Sequence, residues 1–308
     1  MPVSMDQIKR LREKTGSGMM DVRNALEQAD GDEAKAMDIL RQKGMATAEK
    51  KSARATAEGA VGAVVLNDGK IAALAELNCE TDFAAKNDRF QSMVSGIVSQ
   101  VAQHNPHDVD AALALAHPED AGRTLKDLLT DTISAIQENM ALRRLVRFEA
   151  PENGLISSYV HLGGKMGVLV EVSATKAETA KNPALAQLAK DICLQLAGAG
   201  ADYVALSEIP SDVIAKETEI EMGKEDLASK PENIRANIVK GRVDKIMAQR
   251  VLLLQPFVKD PSKTVQQLLE ETGKSLDDTV SIARFARFVL GEAQDNPSEA
   301  DACQLAAV

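Results

Sequence analysis

Before residue 45, apolar positions recur at intervals of three and four in three short runs. Met5, Ile8 and Leu11 share one helical face behind Ser4 and Gln7, which have the spacing of a capping box. Thr15-Gly16-Ser17-Gly18 ends that run. Met20, Val22, Ala25, Leu26 and Ala29 form the second, closed by Asp30-Gly31-Asp32. Ala36, Met37, Ile39 and Leu40 form the third, with Gly44 as the expected stop. Three short amphipathic helices make a small bundle with little core of its own, a module suited to binding. Residues 45–58, Ala-rich and carrying Lys50, Lys51 and Arg54, predict a polar helical linker with a solvated basic face.

The periodicity then changes to strand-like runs, and the chain repeats itself. Gly69-Lys70-Ile71-Ala72-Ala73-Leu74-Ala75-Glu76-Leu77 aligns with Gly164-Lys165-Met166-Gly167-Val168-Leu169-Val170-Glu171-Val172 at an offset of 95. At that offset Phe90, Met93, Val94, Ile97, Val98 and Val101 fall on Leu185, Leu188, Ala189, Ile192, Cys193 and Leu196, one helical stripe written twice. A second echo follows at an offset of 140. Thr124, Leu125, Leu128 and Leu129 match Thr264, Val265, Leu268 and Leu269, while Arg144, Arg147 and Phe148 match Arg284, Arg287 and Phe288. The unit written twice reads hairpin, helix, helix, closing strand, with turns at Asn67-Asp68-Gly69 and Gly163-Gly164. The expected fold class is therefore α+β.

Growth of the offset from 95 to 140 places about 45 extra residues in the second copy, within residues 198–263. Residues 211–228 and 232–254 are helical in pattern. A helical hairpin projecting from a compact unit buries little against it, which suits pairing with another chain; a solvated spacer is the alternative. The tail from residue 292 is polar and Ala-rich, and is expected to fray.

One corner stands apart. Asn78-Cys79-Glu80-Thr81-Asp82-Phe83-Ala84-Ala85-Lys86 joins a strand-like run to a periodic helix starting near Asn87. Either Phe83 plugs the corner and Asp82 caps the helix, or the carboxylate and ring serve a partner. At the offset of 95, Asp82-Phe83 falls on Ala177-Glu178. The second copy keeps the scaffold without the pair, which favours function.

Composition narrows the classes. With 308 residues and 44% apolar content, the chain can build two or three cored modules, and 3% aromatics make those cores aliphatic. A net charge of −10 argues against non-specific nucleic-acid binding. No apolar run approaches the roughly 20 residues of a membrane helix, and Met1-Pro2-Val3-Ser4 does not open a signal peptide. Cys79, Cys193 and Cys303 are widely spaced, which fits free thiols in a reducing cytoplasm and predicts neither a metal site nor a disulfide frame. His104, His107, His117 and His161 are scattered, and Pro106 makes a loop of the first two. No cofactor motif is present.

Four runs resemble the bacterial elongation factor Ts family, the guanine-nucleotide exchange factors of elongation factor Tu. They are Leu11-Arg12-Glu13-Lys14-Thr15-Gly16-Ser17-Gly18-Met19-Met20-Asp21, the corner from Asn78 to Lys86, His161-Leu162-Gly163-Gly164-Lys165-Met166-Gly167-Val168-Leu169-Val170, and Gln255-Pro256-Phe257-Val258-Lys259-Asp260-Pro261-Ser262-Lys263-Thr264-Val265. The resemblance implies a ubiquitin-associated-like N-terminal domain and linker at residues 1–54 and a first core subdomain at 55–149. A second subdomain at 150–197 and 253–291 is split by a dimerisation insertion at 198–252, and a tail occupies 292–308. It implies a translation factor, not an enzyme, without cofactor or metal of its own. Its partner is elongation factor Tu, bound to GDP or nucleotide-free; the insertion would allow a homodimer, and the sequence leaves open whether it joins two copies or caps one. Neither nucleic acid nor membrane is bound directly. Thr81, Asp82, Phe83 and Ala84 would enter the partner beside its Mg²⁺ site, Met19, Met20 and Arg23 would grip its nucleotide domain, and Ile136 and His161 would face it from the core.

Cys193-Leu194-Gln195-Leu196-Ala197-Gly198-Ala199-Gly200 departs from the family pattern, which puts contacts to the partner's distal domain in question; Phe285-Ala286-Arg287-Phe288-Val289 departs mildly. Two rival readings belong to other classes. One is an enzyme with Cys79 as nucleophile, although no His is near it in sequence. The other is an interaction scaffold that uses the three-helix module as an adaptor.

Overall fold

A computed structural model describes residues 3–227 and 231–292. Residues 293–308, which hold most of the expected tail and Cys303, lie outside the described residues, as does residue 228 at the end of the helix expected from 211.

Helices α1 (Met5–Thr15), α2 (Met19–Gln28) and α3 (Glu33–Lys51) form the N-terminal bundle. The Ser4 hydroxyl accepts from the Gln7 amide at 3.2 Å, and the Gln7 side chain accepts from the Ser4 amide at 3.0 Å, completing the capping box. Ile8, Leu11, Val22, Ala25, Leu26, Ala36 and Leu40 close a small apolar core. Gly44 does not stop α3, which runs on to Lys51. A glycine stops a helix where the chain must turn left-handed; here it lies at a crossing, where an added Cβ would sit 3.5 Å from Cβ of Ser134. Lys51 is likewise buried rather than solvated, its ammonium donating to the Gln137 carbonyl and, at 3.2 Å, to the Gln137 side chain.

The first copy of the repeat contains the hairpin β1 (Glu58–Leu66) and β2 (Ile71–Cys79), then α4 (Asp82–Ala85), α5 (Asp88–His104) and α6 (Val109–Leu113). A small hairpin of β3 (Ala116–His117) and β4 (Asp120–Thr124) leads into α7 (Leu125–Ile136) and β5 (Met140–Glu149). The second copy contains β6 (Gly154–His161), β7 (Met166–Ala174) and α8 (Pro183–Ala199), then the inserted α9 (Ser211–Met222) and α10 (Glu232–Arg250). It closes with β8 (Pro256–Phe257), β9 (Asp260–Thr264), α11 (Val265–Ser275) and β10 (Val280–Val289). Both main sheets are antiparallel and three-stranded, ordered β1-β2-β5 and β6-β7-β10. The fold is α+β, as expected. The small hairpins were not foreseen, being short and polar, yet they obey the offset of 140: Ala116 pairs with Thr124, and Pro256 with Thr264.

The two sheets pack face to face, with helices outside. Along β2, Ala73, Ala75, Leu77 and Cys79 face α5 and α7, while Ala72 and Leu74 face the other sheet with Val61, Val146, Phe148, Ile156 and Leu169. Burial on both faces makes the run nearly continuously apolar. Two carboxylates lie in the strands of this seam. Glu76 pairs with Arg144 at 2.7 Å, and Glu171 pairs with Arg284 at 2.7 Å. Register shifts at matching places, before Arg144 in β5 and before Arg284 in β10, break the alternation. Each bulge turns its arginine from the helix side into the seam. The insertion has its own apolar cluster of Ile209, Leu227, Val239, Val243, Met247 and Val251, and leaves Ile214, Ile220, Met222 and Ile234 exposed.

Candidate functional site

The corner after β2 is held by crossed hydrogen bonds. Thr81, the N-cap of α4, donates its amide to Oε2 of Glu138 at 2.9 Å and its hydroxyl to Oε1 at 2.7 Å. The same hydroxyl accepts from the Ala84 amide at 3.2 Å. In the opposite direction the Asn139 amide donates to Glu80 at 2.6 Å. That bond chiefly, with Arg54 beside it, holds the Glu80 carboxyl below its usual range. Asn139 also donates to the carbonyls of Ser52, at 3.3 Å, and Arg54, at 2.8 Å. Linker, corner and the turn between α7 and β5 are thereby one assembly.

From this base Ala84 and Ala85 turn into the core, while Phe83 turns outward, 81% exposed. The ring therefore does not plug the corner. Nor does Asp82 cap a helix: Thr81 caps α4, and Asn87 caps α5 through a 2.9 Å bond to the Arg89 amide. Asp82 instead pairs with Lys86 at 2.8 Å. That bond lowers the Asp82 pKa, with help from Lys165, and raises that of Lys86.

The second copy closes the same corner without a ring. Asp278, at the position of Glu138, accepts from the amides of Thr175 at 3.1 Å and Lys176 at 3.0 Å and from the Thr179 hydroxyl at 2.6 Å. Residues Ala177–Lys181 form a 3-10 turn in which Thr179 and Ala180 are buried.

The other sequence-selected residues lie in three places. Met19 and Met20 are exposed on the first turn of α2, and Arg23, one turn on, pairs with Glu27 at 2.8 Å. Arg89, in the first turn of α5, links that helix to the loop before α2, donating from Nη2 to the Thr15 carbonyl at 3.0 Å. Gly16 there has φ of 66°, and a Cβ on it would sit 1.4 Å from Nη1 of Arg89, so the guanidinium fills the space a side chain would need. Ile136 ends α7, partly buried against the first core and two positions before Glu138.

His161 ends β6, its Nδ1 2.8 Å from the Tyr159 hydroxyl. The turn beyond it rests on β1, where the Val61 amide donates to the Gly164 carbonyl at 2.8 Å and Lys165 pairs with Glu58. Glu58 is paired in register with Cys79, so this turn lies at the end of the sheet that carries the corner. Sequence reasoning missed two residues here. Leu162, at the turn's tip, is 73% exposed with φ of 48°, an unusual conformation for a branched apolar residue. Glu138 was missed because its partner lies 57 positions away.

Cys79 is fully buried and its thiol donates to the Thr81 carbonyl at 3.2 Å. Burial, and then the Glu138 charge, push its pKa up to about 12, which removes it as a nucleophile. Among the described residues no group of three or more His, Cys, Asp or Glu side chains could hold a metal ion, and no helix is long and apolar enough to cross a membrane.

The chain resembles known proteins over most of its length. The family model described as Elongation factor TS matches residues 80–292. Elongation factor Ts of Trichlorobacter lovleyi is 41% identical over 307 residues, covering 100% of this chain and 98% of the relative. That of a Nostoc species is 39% identical over 292 residues, covering 94% and 93%. That of Clostridium perfringens is 38% identical over 297 residues, covering 96% of each. With a family match over most of its length and relatives spanning nearly all of it, the chain belongs to the elongation factor Ts family of translation factors.

Proposed function

We propose that the chain binds elongation factor Tu in its GDP form and drives GDP out by pressing Phe83 and Asp82 against the partner's Mg²⁺ and phosphate site, so that GTP can reload. The observation that carries this reading is a phenyl ring 81% exposed on a stapled four-residue helix, with no counterpart in the second copy. A GTPase holds its nucleotide through Mg²⁺ and a phosphate loop coupled to ordered switch segments. A factor that binds the empty state more tightly weakens nucleotide binding, and returning nucleotide weakens the factor's grip by the same amount. Burying the ring in the partner would supply about 1.5–3 kcal/mol. Asp82, exchanging its Lys86 partner for groups of the GTPase, would set a carboxylate against the phosphates and compete for their donors and metal, and so disfavour the loaded state. Accelerating release about a thousandfold requires roughly 4 kcal/mol. Ring and carboxylate reach that only when anchored, and exposed Met19 and Met20 beside Arg23 supply one anchor, His161 and Ile136 another.

On this reading the protein is an exchange factor of the cytoplasm and carries out no bond chemistry. The exposed Ile214, Ile220, Met222 and Ile234 support the further proposal that the insertion pairs with a second copy, which a concentration series in sedimentation would test. The deciding experiment follows release of fluorescent GDP from elongation factor Tu. Phe83→Ala should keep the fold and most of the affinity, yet slow release at least about tenfold. Release at the wild-type rate would end the wedge reading and favour a plain interaction scaffold.

A further inference from the structure

Four residues cannot sustain a helix by themselves, because the first turn fixes several dihedrals for one hydrogen bond. The direction of Phe83 is therefore set by the neighbours of α4. Buried Ala84 and Ala85 hold its inner side. The N-terminal side depends on Thr81, and Thr81 depends on Glu138.

A hydroxyl has one proton and two lone pairs. The Thr81 proton goes to Oε1 of Glu138 at 2.7 Å, which leaves a lone pair for the Ala84 amide at 3.2 Å. The second carboxylate oxygen takes the Thr81 amide at 2.9 Å, so both oxygens of one side chain orient one residue. Glu138 is itself fixed: Gln137 before it takes a left-handed φ of 65° to end α7, and the Asn139 amide after it is bonded to Glu80 at 2.6 Å. The second copy differs at this point. Asp278 takes the amides of Thr175 and Lys176, and its hydroxyl partner is Thr179, three positions further on. That staple holds the cap residue, Lys176, by its amide alone: the Lys176 side chain makes no cap bond, and the hydroxyl contact goes to Thr179 inside the turn.

We infer that Glu138 is the positioning residue for Phe83, aiming the ring through Thr81 without touching the partner's nucleotide site. This inference rests on the exchange reading above.

The test compares Glu138→Gln, Phe83→Ala and the double variant in the full chain, using GDP release from elongation factor Tu. A glutamine retains one acceptor oxygen where two donors need one each. Glu138→Gln should lower the maximal release rate roughly fivefold or more while the half-saturating concentration stays within about twofold. The double variant should release GDP at the rate of Phe83→Ala alone, because two residues acting through one ring do not add. Amide exchange should quicken at Ala84 and Ala85, whose amides bond Thr81, and remain unchanged in β2 and β5. A wild-type rate for Glu138→Gln beside a slow Phe83→Ala overturns this inference alone. So does a double variant slower than either single by the product of their effects. A wild-type rate for Phe83→Ala overturns the exchange reading, and this inference with it.

Discussion

Arg144 lies over the ring of Phe288 with its guanidinium carbon 4.3 Å from the ring centroid, and Arg284 lies over Phe148 at the same 4.3 Å. Each arginine also crosses the seam to a carbonyl, Arg144 to Val289 at 3.0 Å and Arg284 to Glu149 at 3.1 Å. The residues of each exchange are related by the offset of 140, so the two sheets hold one another by one device used twice around a pseudo-twofold axis. The carboxylate behind each arginine is buried. Arg284→Leu would strip Glu171, 4% exposed, of its guanidinium and should cost about 3–5 kcal/mol by urea denaturation. Replacing Glu171 with Leu as well should restore part of that loss, since the orphaned charge goes too. A double variant as unstable as the single would show that the stacked ring, and not the ion pair, holds the seam.

Docking of the N-terminal bundle depends on few polar bonds. Arg89 reaches Thr15 at 3.0 Å, and Arg41 pairs with Asp127 at 2.7 Å. Arg89→Ala removes a charge-assisted bond worth about 1.5–3 kcal/mol. Amide exchange in α2 should quicken while β2 and β5 stay protected. In the release assay the half-saturating concentration should rise with little change in the maximal rate, because the bundle anchors and does not wedge. A fall in maximal rate at unchanged half-saturation would contradict this division of labour.

Gly44 makes a graded test of the crossing between α3 and α7. An added methyl meets Ser134 at ordinary contact distance, 3.5 Å, so Gly44→Ala should stabilise by about 0.5–1 kcal/mol through lower unfolded-state entropy. Gly44→Leu should instead destabilise by about 1–3 kcal/mol through overpacking. Thermal melts of both variants check the pair, and a gain from leucine would mean the helices are less closely packed than described.

Asp278 should make the second copy sensitive to acid. The Thr179 hydroxyl first, with the amides of Lys176, Thr279 and Thr175, lowers its pKa from the ordinary 3.8 to about 2. A carboxyl depressed by folding contributes stability above its unfolded pKa, and that contribution fades as pH falls through the folded value. Asp278→Asn should thus be less stable than wild type at pH 7, with the gap closing between about pH 4 and pH 2. A gap that stays constant over that window, followed by urea midpoints, would show that proton linkage at Asp278 is absent.

Much of the backbone was legible because the signals are local. The capping box of Ser4 and Gln7 and the turn at Asn67-Asp68-Gly69 each concern residues within a few positions of each other. The end of α3 was misplaced because the reason for Gly44 lies 90 positions away, in Ser134 on another helix. Lys51 was assigned to solvent for the same reason: Gln137, which buries it, is 86 positions distant.

The repeat, its insertion and the singularity of Asp82-Phe83 follow from the order of residues alone, since apolar periodicity records which face of each element avoids water. Whether Phe83 points out or in, and which carboxylate steadies it, could not follow from that record. Those outcomes depend on Glu138, before β5, meeting Thr81, after β2, just as the placing of Arg144 and Arg284 in the seam depends on two bulges. Contacts between distant segments exist only once the chain has closed, so the direction of the ring belongs to the tertiary structure.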